Sequence, residues 1–257
     1  MLVVTLMATC TTSPTNRRQV LLYSEAEMAR QGEGAYRQMQ SELTVSGDPR
    51  ETTYVQCVAN YVIAALEATQ QTDISWEVTV FDSPQANAFA LPGGKIGVYT
   101  GLFDVANNQD QLAAVIAHEV GHVLAKHGNE RASRSALRSV GIATARVLGA
   151  STRTVQAIDY GTQLGLQLPF DRAQESEADA MGLMLMARAG FDPEHSITLW
   201  ENMSADAGPR PPEFLATHPS PETRMTSLRN LMGQALSART QALSNGLAPD
   251  CIPGAVN

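Results

Sequence analysis

What the sequence lacks narrows it first. It has no window of about 18 uninterrupted apolar residues, so no transmembrane helix is readable in it. Basic residues are scarce: 18 Lys and Arg stand against 26 Asp and Glu, a formal charge of -8. They are nowhere clustered, which removes the cationic footprint a phosphate backbone needs and argues against a nucleic-acid partner. Aromatic residues are few, but 44% hydrophobic against 17% charged is the balance of a globular chain rather than a disordered one. Internal repeats and long low-complexity tracts are missing too, so 257 residues are most simply one sizeable unit with a real core.

Cysteine is also sparse, and each of the three has a context. Leu2 to Met7 is apolar, Cys10 follows, and Thr11 to Asn16 is polar, which resembles the tail of a bacterial lipoprotein signal and its tether. The pattern departs from the usual one, since no Lys or Arg precedes the run and Thr9 sits where a smaller residue is preferred. Two readings stand: lipidation of Cys10, or an ordinary frayed N-terminus. On the first, residues 1–20 are signal remnant and tether and 21–257 a single domain. Setting Cys10 aside leaves Cys57 and Cys251, which an exported protein could join in a disulfide; two separate thiols are the alternative.

Hydrophobic spacing predicts helices over 24–44 and 51–70, the second with Val55, Val58, Ala59, Val62, Ile63 and Leu66 on one face. From Ser75 to Phe81 apolar and polar residues alternate as in a strand. Ala88 to Leu91 and Lys95 to Tyr99 read as two short strands about a Pro92-Gly93-Gly94 turn. A helix follows from near Asn108 to about His127, stopped by Gly128, and others are expected over 130–148, 152–166 and 173–189. Pro193 opens another, Pro209, Pro211 and Pro212 mark a loop, and a last helix is expected from Pro221 to Leu236 before a loosely structured tail. The fold class expected is α+β, mainly helical, with a small, partly antiparallel sheet.

The chemistry lies in His118-Glu119-Val120-Gly121-His122, inside the Asn108 helix. Residues four apart on a helix stand one turn above each other, so both imidazoles can reach one metal ion while Glu119 flanks its open side. Zinc so held brings bound water toward neutral pKa, and a neighbouring glutamate can take the proton as the water attacks a carbonyl. Two satisfied core histidines are the bland alternative, but burying two without a partner is costly. Leu112, Ile116, Val120 and Leu124 form an apolar stripe, so this helix should be buried.

A third ligand is needed. Ala125 and Gly128 stand where a metzincin extension requires Gly and His, so that reading fails. His127, five residues past His122, falls about 140° around an ideal helix and is expected to face solvent as a C-terminal cation. Glu175 and Asp179 share a face of the downstream helix, so Glu175 can ligate while Asp179 bonds a ligating histidine; Glu177 points elsewhere. A solvated Glu175 would be ordinary, and it becomes the expected ligand because two histidines demand a third partner.

These residues resemble the HtpX/BepA/OMA-type zinc metallopeptidase family, gluzincins with H-E-x-x-H followed by E-x-x-x-D, here His118, Glu119, His122, Glu175 and Asp179. Asn87-Ala88-Phe89-Ala90-Leu91-Pro92-Gly93-Gly94, Asp171-Arg172-Ala173-Gln174 and Thr217-His218-Pro219 followed by Arg224 extend the likeness over roughly residues 20 to 235. The resemblance implies a zincin-type fold, one Zn2+ per chain and cleavage of unfolded or misfolded polypeptides. It also implies that the Asn87, Ala88, Phe89 and Ala90 strand pairs with substrate backbone. His218 matches a loop histidine that can approach the zinc as a regulatory or fourth ligand; a surface histidine is the alternative. Arg172 is read as an anchor for the active-site region or as a surface ion pair, and His195 as surface structure. Transmembrane helices and helical repeats of other members are missing here, so the likeness is to compact periplasmic LoiP-type lipoproteins, on the periplasmic side of the bacterial envelope. The competing function is a latent or chaperone-like polypeptide-binding protein with a non-catalytic zinc site.

Overall fold

The computed structural model describes residues 9–68, 73–147, 171–205, 213–218 and 221–252; the helix expected over 152–166 and the proline loop around Pro209 lie outside them. An N-terminal hairpin, β1 (Thr9–Thr12) and β2 (Arg18–Leu21), pairs Thr9 with Leu21. The turn of this hairpin is held to the body by Arg17 ion pairs to Glu130 and Glu177.

Helix α1 (Glu25–Glu42) starts at a capping box, with Ser24 Oγ accepting from the Glu27 N–H and Glu27 accepting from the Ser24 N–H. In α2 (Pro49–Glu67), Asp48 is the cap and Val55, Val58, Ala59, Val62 and Leu66 turn inward, on the face their spacing predicts. The strands β3 (Glu77–Phe81), β4 (Ala88–Leu91) and β5 (Lys95–Tyr99) form a sheet in the order β3-β5-β4. Central β5 runs parallel to β3 and antiparallel to β4, so the sheet is mixed and β4 is an edge.

Next come α3 (Gln109–Leu124), α4 (His127–Val147), α5 (Arg172–Arg188), α6 (His195–Ala205), α7 (Glu213–Thr217) and α8 (Pro221–Ser244). Mainly helical with small sheets, the fold is α+β as expected. Every residue of α3 from Gln111 to His122 is buried, so this helix is the centre of the core rather than a one-sided cover. It touches α5 almost backbone to backbone. A Cβ added to Gly182 would stand 2.8 Å from the His118 amide nitrogen, and one on Gly121 would stand 3.0 Å from the Ala178 carbonyl oxygen. Only glycine permits that approach.

Two expectations for the C-terminus change. Helix α8 continues past Leu236 to Ser244, with Ala242 buried and Arg239 paired to Asp192 at 2.7 Å. The tail beyond it packs down: a disulfide joins Cys251 to Cys57 across 194 residues, and Cys251 N–H donates to Gln109 Oε1 at the start of α3.

Candidate metal centre

Four side chains from three places in the fold converge. Helix α3 supplies His118 and His122 from successive turns, α5 supplies Glu175, and His218 comes from just after α7; all four are buried. One donor atom from each lies within 4.8 Å of the other three. His118 Nε2 is 3.0 Å from His122 Nε2 and 3.3 Å from His218 Nδ1. Glu175 places its Oε2 3.4 Å from His118 Nε2, and its Oε1 3.3 Å from His122 Nε2 and 2.9 Å from His218 Nδ1.

Those spacings fit a metal ion. Donors about 2.0–2.2 Å from a tetrahedral cation stand about 3.3–3.6 Å apart, close to most of the separations here. Charge agrees, because the carboxyls of Glu119, Glu175 and Asp179 are all buried around the cluster, with Arg224 pairing to the last two, and a divalent cation would stabilise such a grouping. So does an orphan: Glu119 Oε1 is buried without a hydrogen-bond partner, 3.3 Å from His218 Nε2. Its sister oxygen accepts from the Ala90 N–H of β4 at 3.2 Å, which ties the edge strand to the cluster.

Burial pushes the Glu119 carboxyl above its usual range. Burial also opposes ionisation of Glu175, but hydrogen bonds from His118, His122 and His218 outweigh it and hold that group far below the carboxylate range. For His118, burial and Arg224 act downward, yet Asp179 and Glu175 prevail and push it up to about 9.

Asp179 Oδ1 lies 3.0 Å from His118 Nδ1, as the shared helix face implied. What the spacing could not show is Arg224 of α8. Its guanidinium reaches Asp179 at 2.5 Å and Glu175 Oε2 at 2.8 Å, and its Cζ lies over Trp200, 3.9 Å from the ring centroid. Arg172, read as a possible anchor, is instead exposed in the first turn of α5, where the neighbouring Asp171 makes the cap. His195 is half-exposed near Asp110, at 3.7 Å.

His127 is the clearest departure. It was expected to face solvent, but it is fully buried, with Nδ1 2.8 Å from His122 Nδ1 and Nε2 3.2 Å from Glu177 Oε2. The reason is local. Helix α3 ends at Leu124 and Lys126 takes a φ of 57°, so the chain reverses there and α4 begins by folding His127 back beneath His122. Helical angles counted past Leu124 no longer apply. Glu177 turns inward for the same contact.

The model of Peptidase family M48 matches residues 49–232. The mitochondrial metalloendopeptidase OMA1 of Schizosaccharomyces pombe is 35% identical over 226 residues, which is 86% of this chain and 65% of that protein. OMA1 of Saccharomyces cerevisiae is 33% identical over 214 residues, 78% of this chain and 61% of its own. The beta-barrel assembly-enhancing protease of Escherichia coli is 31% identical over 214 residues, 79% of this chain and 43% of its own. The chain thus spans less than two thirds of the length of these relatives.

Proposed function

Because the chain belongs to peptidase family M48, we propose that it is a zinc-dependent endopeptidase acting on unfolded or misfolded polypeptides of the bacterial envelope. The observation that carries this reading is the buried His118, His122, Glu175 and His218 cluster with the orphaned Glu119 oxygen beside it. Zinc held by those donors would supply Lewis acidity toward a peptide carbonyl. Glu119 takes the proton of the attacking water and returns it to the leaving amine, a role suited by a carboxyl whose proton affinity burial has raised. The Ala90 amide holds Glu119 Oε2, leaving Oε1 to face the reacting atoms. Asp179 and Arg224 orient His118 and Glu175 from behind. The β4 edge lies where an extended substrate can add as a further strand.

His218 favours a second, latent reading of the same site. Its two ring nitrogens stand 2.9 Å from Glu175 and 3.3 Å from Glu119, so it sits between the ligand and the base. On this reading His218 is a fourth ligand that withdraws before catalysis, and a protein in which it never withdraws would capture polypeptides without cutting them. The Cys57–Cys251 disulfide supports an oxidising compartment, which suits the periplasm, with Cys10 as the candidate lipid attachment.

The test is zinc content together with casein cleavage for wild type, Glu119→Gln and His218→Ala. The expected result is about one zinc in each, with cleavage by Glu119→Gln lower by about 10²–10⁴-fold and His218→Ala at least as active as wild type. Zinc-loaded wild type and His218→Ala that both leave casein intact would replace the endopeptidase by the polypeptide-binding reading.

A further inference from the structure

We propose that His127 is a positioning residue for His122, and that a buried relay from His122 through His127 and Glu177 to the N-terminal hairpin fixes which ring nitrogen of His122 faces the metal. The inference rests on the metal reading of the cluster and concerns residues outside its ligand set.

The proton positions follow from one carboxylate. Glu177 is surrounded by donors: Oε1 accepts from Thr15 N–H at 3.2 Å and Thr15 Oγ1 at 2.7 Å, and Oε2 accepts from Arg17 Nε at 3.0 Å. An ionised carboxylate can only accept, so His127 Nε2, at 3.2 Å from Oε2, is the nitrogen that carries hydrogen. A neutral imidazole with hydrogen on Nε2 has its lone pair on Nδ1. That lone pair faces His122 Nδ1 at 2.8 Å, so His122 is the donor there. His122 is then left with a bare Nε2, the atom that stands among the cluster donors 3.0 Å from His118 and 3.3 Å from Glu175. Each assignment forces the next, and the last is the one a ligating imidazole requires.

The far end of the relay is anchored in the turn between β1 and β2. Arg17 donates to Glu177 through Nε and forks onto both oxygens of Glu130, at 2.8 and 2.7 Å. The hairpin nearest the N-terminus is thereby hydrogen-bonded, through two intermediates, to a residue of the metal cluster 105 positions away along the chain (Arg17 to His122).

The deciding measurement is a long-range ¹H–¹⁵N spectrum of zinc-loaded wild type, ¹⁵N-labelled at histidine. Hydrogen on Nδ1 of His122 and on Nε2 of His127 is expected; His127 with hydrogen on Nδ1 overturns the proposal. As a second arm, His127→Phe keeps a ring but removes both hydrogen bonds and should weaken zinc affinity about 10- to 100-fold in chelator competition. His127→Gln, whose amide can accept at one atom and donate at the other, should recover most of the loss. A folded His127→Phe that binds zinc as tightly as wild type overturns the proposal, and should that variant fail to fold, the wild-type tautomers decide alone. Wild type that takes up no zinc sinks the metal reading and this inference together, whereas zinc held with the other tautomers sinks the inference alone.

Discussion

Arg17 and Arg224 do the same job at two places near the centre: each holds two buried carboxylates that would repel in a dry interior, Glu130 with Glu177 and Glu175 with Asp179. Glu130 gives the cleaner test because it lies away from the cluster. Burial pushes its pKa up, but Arg17 and Gln174 outweigh burial and hold it below the ordinary 4.5. A carboxyl depressed in the folded state contributes stability that is present above that value and fades as pH falls through the folded pKa. Glu130→Gln should therefore cost about 2 kcal/mol at pH 7, and its deficit relative to wild type should shrink below about pH 4.5, read from urea midpoints at both pH values. A deficit that stays constant with pH would mean that packing rather than charge is lost. At this scale the sequence was partly legible. Helical spacing brought His118, Glu119 and His122 together, and the shared face of Glu175 and Asp179 was right. His127 was misjudged because a local reversal at Lys126 leaves no mark in hydrophobic spacing, and nothing near Arg17 signals a partner more than a hundred residues away.

Among the elements, the contact between α3 and α5 matters most, since it sets the distance from the histidines to Glu175. Gly182→Ala would place a methyl 2.8 Å from a helix backbone atom that cannot yield, so α5 must shift. The expected cost is about 1–3 kcal/mol of stability, together with weaker zinc binding as Glu175 moves off its histidines. Gly233→Ala in α8, where an added Cβ meets nothing, is the control and should be neutral or stabilising by up to about 1 kcal/mol in the same denaturation series. Equal losses in the two variants would point to glycine content rather than close approach. Helix α2 and strand β3 were readable from the spacing of apolar residues in the sequence, and β4 and β5 from the Pro92-Gly93-Gly94 turn between them. The parallel pairing of β3 with β5 was not, since register across a sheet is a tertiary property that no local period encodes.

Across the whole molecule, one covalent link ties the beginning of the core to its end. Cys57 of α2 and Cys251 of the tail close a loop of 194 residues, which in the chain-entropy model is worth about 5 kcal/mol, with measured values for native disulfides of about 2–5. Cys57→Ala with Cys251→Ala should lower stability within that range and release the tail from Gln109, seen as faster proteolysis beyond Asn245. Undiminished stability would assign the tail's packing to its hydrogen bonds alone. Arg224 has a different consequence, set by the direction in which a ribosome works. His118, His122 and Glu175 emerge while the chain is unfinished, and the guanidinium that balances Glu175 and Asp179 follows about fifty residues after Glu175. Until then Glu175 and Asp179 lack the guanidinium that balances them, so the charge-compensated centre can close only once α8 has been made.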